Sequence, residues 1–96
     1  MAIDDLLREK REEILRIAAK HGACNVRVFG SVARGEAGDE SDIDLLVEFG
    51  PGRSLLDQAG LVADLEELLG RKVDVVTAGG LYWLLRRRIL KEARPP

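Results

Sequence analysis

Two aspartates one residue apart, Asp42 and Asp44, open the segment DIDLLVEF, and a third, Asp74, lies within KVDVVT. At i and i+2 on a strand, Asp42 and Asp44 project from the same face. Like charges that close raise one another's pKa and destabilise the fold unless something neutralises them. No basic residue alternates with them. Oxygen ligands without a neighbouring Cys or His suit Mg²⁺ or Mn²⁺ rather than Zn²⁺. Mg²⁺ keeps several waters and shares its shell with substrate phosphates, so an incomplete protein cage is expected.

Gly30-Ser31 supplies the complementary half of such a site. Glycine lets a backbone approach a ligand closely. The free N–H groups of a helix opening at Ser31 can hold phosphate oxygens, and the Ser31 hydroxyl adds a donor. Arg34, one turn further on, either reaches a phosphate or points to water. A Gly-Ser pair alone carries no signal and an Asp-x-Asp alone carries little. Their combination, with strand context and a third Asp on a later strand, points to a metal-assisted phosphate site.

The elements that must position these residues can be read from periodicity. Ile3, Leu7, Ile14, Ile17 and Ala18 recur at helical spacing, which predicts an amphipathic helix over about 3–21. His21 closes it as a C-terminal residue favoured by the helix dipole. The run NVRVFG, residues 25–30, reads as a strand ending at a glycine. Ser31 is a natural N-cap for one or two helical turns before Gly38.

In 42–49, Ile43, Leu45, Val47 and Phe49 share one face while Asp42, Asp44, Leu46 and Glu48 share the other, a strand's period of two. Ser41 and Asp44 also fit a capping box, but a helix there would end at Gly50-Pro51-Gly52 and be too short. A better-placed box, Ser54 to Asp57, opens a helix over 54–70 with Leu55, Ala59, Val62, Leu65 and Leu69 as its apolar stripe. A strand over 72–77 and a helix over 81–93 follow, with Tyr82 and Trp83 as packing residues.

The order α-β-α-β-α-β-α predicts an α/β (α+β) fold, a three-stranded mixed sheet with flanking helices. The first two strands, joined by a short link, are expected to be antiparallel neighbours. The second and third, joined by a full helix, are expected to be parallel. That arrangement brings the Gly30-Ser31 turn, Asp42, Asp44 and Asp74 to one edge of the sheet.

Composition bounds the function. Ninety-six residues, 46% hydrophobic and 33% charged, suit one small domain spanning 1–96. A net charge of −2 argues against extensive nucleic-acid binding. A lone cysteine, Cys24, excludes an intramolecular disulfide framework or a Cys-based zinc site. The charged start MAIDDLLREKREE and the short apolar runs predict neither secretion nor a membrane span, leaving the cytoplasm as the expected compartment. The five basic residues after position 85 (Arg86, Arg87, Arg88, Lys91 and Arg94) read as a solvated helix face or as a surface for an acidic partner or a triphosphate.

With Gly30-Ser31, ten residues, then Asp42-Ile43-Asp44 inside FGSVARGEAGDESDIDLLVEF, the chain resembles the DNA polymerase β-like nucleotidyltransferase superfamily. Within it, the chain is most similar to the minimal nucleotidyltransferase (MNT) domain proteins, antitoxins that act beside HEPN-domain toxins. The resemblance extends through LVADLEELLGRKVDVVT and its Asp74, and loosens at LYWLLRRRILKEARPP. It implies transfer of AMP from ATP onto a hydroxyl, a tyrosine of the partner toxin. Gly30 and Ser31 would hold the triphosphate, and Asp42 and Asp44 would bind two Mg²⁺ ions. Asp74 would be the third carboxylate, aiding the metal that activates the hydroxyl or taking its proton. A chain this short is expected to lack a separate acceptor-recognition domain, so a partner is expected to present the acceptor. Two other readings stand beside this one: a non-catalytic antitoxin that masks the toxin, and a small-molecule nucleotidyltransferase subunit.

Overall fold

The alternating pattern of 42–49 does form the central strand. In the computed structural model, which describes residues 3–35, 42–77 and 83–96 and leaves out the side chains of Asp4, Ser31 and 83–86, seven elements follow one another. They are α1 (Ile3–Lys20), β1 (Ala23–Phe29), the one-turn α2 (Gly30–Ala33), β2 (Ile43–Phe49), α3 (Leu55–Leu69), β3 (Val73–Thr77) and α4 (Trp83–Glu92). The sheet order is β1-β2-β3, with β1 antiparallel and β3 parallel to β2. Strand pairing and helix order therefore match the expectation from link lengths.

One face of the sheet carries the core. Ile43, Leu45 and Val47 of β2 are buried against Ile14 and Ala18 of α1 and Leu61 and Leu65 of α3. Leu46 is also fully buried although it points to the other face and stands outside that cluster. The face that bears the aspartates is thus covered beyond its rim.

Three local expectations need correction. β1 begins at Ala23, two residues before the predicted start. Its register shifts between Cys24 and Arg27, where Asn25 adopts φ 50°. This bulge lets Ala23 and Val26 both face the core three residues apart, which hides the strand's period of two. Second, the apolar stripe of α3 is Leu61, Leu65 and Leu69, whereas Leu55 is 81% exposed. Leucines at 55, 56, 61, 65, 68 and 69 offer overlapping helical stripes, and only docking on the sheet selects one. Third, Ser31 does not cap α2: Phe29 is the N-cap residue, with no side-chain cap bond, and Gly30 at φ +74° makes the turn.

Other sequence signals hold. Ser54 and Asp57 form the expected capping box, and Gly70 closes α3 in the left-handed conformation. His21 lies just past α1, where its Nε2 bonds Asp64 Oδ2 of α3 at 2.6 Å, so it also ties the two helices together. That hydrogen bond, ahead of Lys20, holds the Asp64 carboxyl below its ordinary pKa. Tyr82 lies outside the described residues, as does the side chain of Trp83. Among the described residues, no helix is long and apolar enough to cross a membrane.

Leu45 follows Asp44 on β2, belongs to the core and is wholly buried. Leu45→Ala should cost about 3 kcal/mol, within the usual range for a buried leucine, read as a lowered urea midpoint with little change in slope.

Candidate functional site

Parallel pairing of β2 with β3 sets Asp44 directly beside Asp74, and antiparallel pairing with β1 sets it opposite Phe29, the residue before Gly30. Neighbouring strands lie about 4.8 Å apart, so the two carboxylates leave the same face on adjacent chains. Asp42 precedes β2 by one residue, two before Asp44. Asp42 and Asp74 are exposed and Asp44 is half-buried. Burial raises the Asp44 pKa above the ordinary carboxylate value, the charges of Asp74 and then Asp42 raise it further, and Arg34 opposes them. Asp44 thus feels both neighbouring carboxylates. The three aspartates do not close into a cage, since among the described residues no three acidic, His or Cys side chains are placed to hold a metal by themselves.

The Gly30 turn faces this cluster. A Cβ built on Gly30 would overlap Oδ2 of Asp44, and its φ of +74° disfavours any other residue. The carboxylate therefore occupies the space that a side chain at position 30 would fill. The N–H groups of the first residues of α2 have no partner within so short a turn. Arg34 Nη1 donates to Glu92 Oε2 at 3.2 Å, and its charge acts on Asp44.

Sequence reasoning passed over several residues that bear on the site. On α3, Glu66 accepts the Val73 N–H at 3.2 Å and Gln58 donates to the Val75 carbonyl at 2.6 Å. These bonds fix β3 on either side of Asp74. Arg27, paired with Leu46, shares the aspartate face, and its buried Nε has no hydrogen-bond partner among the described residues. Arg94 was read as part of a basic helix face. It instead leaves α4 and bonds the carbonyl of Val32 through Nη2 at 3.2 Å. Helical and strand periodicity carry no signal for such long-range side-chain contacts. Only the glycine turn and the aspartates are written in local spacing.

A mixed three-stranded sheet with an acidic edge facing a glycine turn defines a class of phosphate-transferring domains. The chain belongs to the nucleotidyltransferase domain family, whose model matches residues 7–95. Among its relatives is the Methanocaldococcus jannaschii protein named "Putative protein adenylyltransferase MJ0435", 49% identical over 87 residues, 91% of this chain and 94% of that one. Protein adenylyltransferase MntA of Thermococcus cleftensis is 37% identical over 94% of this chain and 88% of its own. A solved structure of a "putative minimal nucleotidyltransferase" superposes with a TM-score of 0.86 at 55% identity, over 96% of this chain and 94% of that one. The crystal structure of a toxin–antitoxin with AMP-PNP shares the fold, with a TM-score of 0.74 at 20% identity over 86% of this chain and 68% of that one.

Two outcomes test this geometry. Gly30→Ala should lose about 1–2 kcal/mol to the left-handed backbone, and more to displacement of the Asp44 carboxylate, seen as a lowered melting temperature. Asp44→Asn should behave oppositely. Because the folded-state pKa of Asp44 is raised, its ionised form costs stability at neutral pH, and this cost fades as pH falls through the folded pKa. In EDTA the variant should melt a few degrees higher than wild type at pH 7, with the gain shrinking toward pH 4. Equal or lower melting at pH 7 would contradict the repulsion argument.

Proposed function

We propose that this protein is a protein adenylyltransferase of an antitoxin type, transferring AMP from ATP to a tyrosine hydroxyl of a HEPN-domain toxin in the cytoplasm. The observation that carries the reading is the placement of the Asp44 carboxylate beside Asp74 and against the Gly30 turn. The adenylyltransferase names of the relatives and the toxin–antitoxin neighbour with AMP-PNP support it.

In this reading the backbone of Gly30 and Ser31, with the Ser31 hydroxyl and Arg34, holds the triphosphate. Close backbone approach at Gly30 and the N–H groups of a helical turn suit phosphate oxygens. Three carboxylates and a triphosphate repel, so the site needs cations between them. Asp42, Asp44 and Asp74 offer oxygen donors alone, which suits Mg²⁺ or Mn²⁺; since they form no complete cage by themselves, the rest of the shell would fall to phosphate and water. Bound there, the ions would neutralise charge on the entering and leaving oxygens.

The acceptor oxygen attacks the α-phosphorus, the bond to the β-phosphate oxygen breaks, and pyrophosphate leaves. The hydroxyl proton passes to Asp74, which is exposed and one strand away from Asp44. Positioning and charge neutralisation supply most of such a reaction, so a small scaffold suffices.

The test mixes the protein with the product of its adjacent gene, Mg²⁺ and ATP labelled in the α-phosphate. Label should move to a tyrosine of the partner, and Asp42→Asn or Asp44→Asn should lower the rate at least about a hundredfold. Full neutralisation of the toxin by these variants without label transfer would overturn catalysis in favour of masking. Label on a small molecule instead would overturn the protein acceptor.

A further inference from the structure

The turn that faces Asp44 cannot hold itself. α2 is four residues long and lacks a side-chain N-cap bond. One isolated helical turn fixes several dihedral angles for one or two hydrogen bonds and is unfavourable alone. Among the described residues, Arg34 N–H to the Gly30 carbonyl and Gly35 N–H to the Val32 carbonyl, both 3.1 Å, close it internally.

The turn packs on β1 and β2 through Val32, and a further set of hydrogen bonds reaches it from about sixty residues later. Just past α4, Arg94 pairs with Val28 of β1 through two backbone hydrogen bonds. The Val28 N–H donates to the Arg94 carbonyl at 2.6 Å, and the Arg94 N–H donates to the Val28 carbonyl at 2.9 Å. From that anchored backbone the Arg94 guanidinium reaches forward to the carbonyl of Val32, at 3.2 Å. Two residues earlier, Glu92 is held between two arginines: Oε1 accepts from Arg88 and Oε2 from Arg34, each at 3.2 Å. Glu92 is only 21% exposed, which makes its pairing with Arg34 less screened than an ordinary surface ion pair. Val32, between these contacts, is buried.

We infer that Glu92 and Arg94 are positioning residues that clamp the Gly30–Arg34 turn in the geometry that receives a nucleotide triphosphate. The inference rests on the proposed nucleotide site. Arg94 sets the backbone of the turn through Val32, and Glu92 sets the direction of Arg34. Neither residue touches the reacting atoms. The clamp joins the chain's last helix to its phosphate-facing turn, so loosening it should weaken ATP binding more than it slows the chemical step.

Arg94→Met removes the guanidinium but keeps the backbone pairing with Val28, and Arg94→Lys restores one donor. In Arg94→Met, amide hydrogen exchange over 30–35 should rise about tenfold while exchange in β2 stays unchanged, and the KM for ATP should rise about tenfold with kcat within about twofold. Arg94→Lys should recover part of both effects. Glu92→Gln, which leaves Arg94 in place, should raise the KM for ATP without speeding exchange in β2. Unchanged exchange over 30–35 in Arg94→Met would overturn the clamp. So would a local rise with ATP affinity unaltered, or a rise spread equally over β2. Failure of the wild type itself to bind ATP would instead sink the functional reading, and it is seen without any variant.

Discussion

Strand pairing forces like charges together at the rim of this sheet. Asp44 and Asp74 occupy the same register on parallel strands, and Asp42 precedes Asp44 by two residues. The fold gains nothing from this: burial and both neighbours push the Asp44 carboxyl toward its neutral form. In the proposed function, cations and phosphate bound at this rim would relieve that cost. The core beneath explains why the arrangement persists. Ile43, Leu45 and Val47 are buried on the opposite face, so the period of two leaves the alternate positions no other direction.

The same rim needs a partner surface that can come very near. Gly30 provides it by lacking a side chain where the Asp44 carboxylate lies. Its left-handed backbone then turns the chain away after β1. On the other flank, Glu66 and Gln58 of α3 fix the backbone around Asp74. The site is therefore built between two tethered segments, with the central strand fixed by the core.

How much of this could be read beforehand depended on whether the signal was local. The alternation in DIDLLVEF, the Ser54–Asp57 capping box and the glycine turn are short-range patterns, and they placed β2, α3 and the acidic edge. Link lengths gave the pairing directions, because a short connection favours antiparallel neighbours and a full helix permits a parallel crossover. The start of β1 was obscured by the bulge at Asn25, which breaks the period. The buried stripe of α3 was obscured by an excess of leucines. Arg34, Glu92 and Arg94 met across about sixty positions, and no spacing rule anticipates such encounters.

The hydrogen bonds around the sheet have one more effect. A three-stranded sheet ordered β1-β2-β3 has two open margins, each a template on which a stray strand from another chain could grow. On β1, Val28 spends both backbone groups on Arg94, and the bulge at Asn25 spoils the flatness that an incoming strand needs. On β3, which is only five residues long, the amide of Val73 and the carbonyl of Val75 are already taken by side chains of α3. Both margins are blunted, so the sheet resists lengthening by cross-chain pairing, and self-association into extended β-structure is disfavoured at either side.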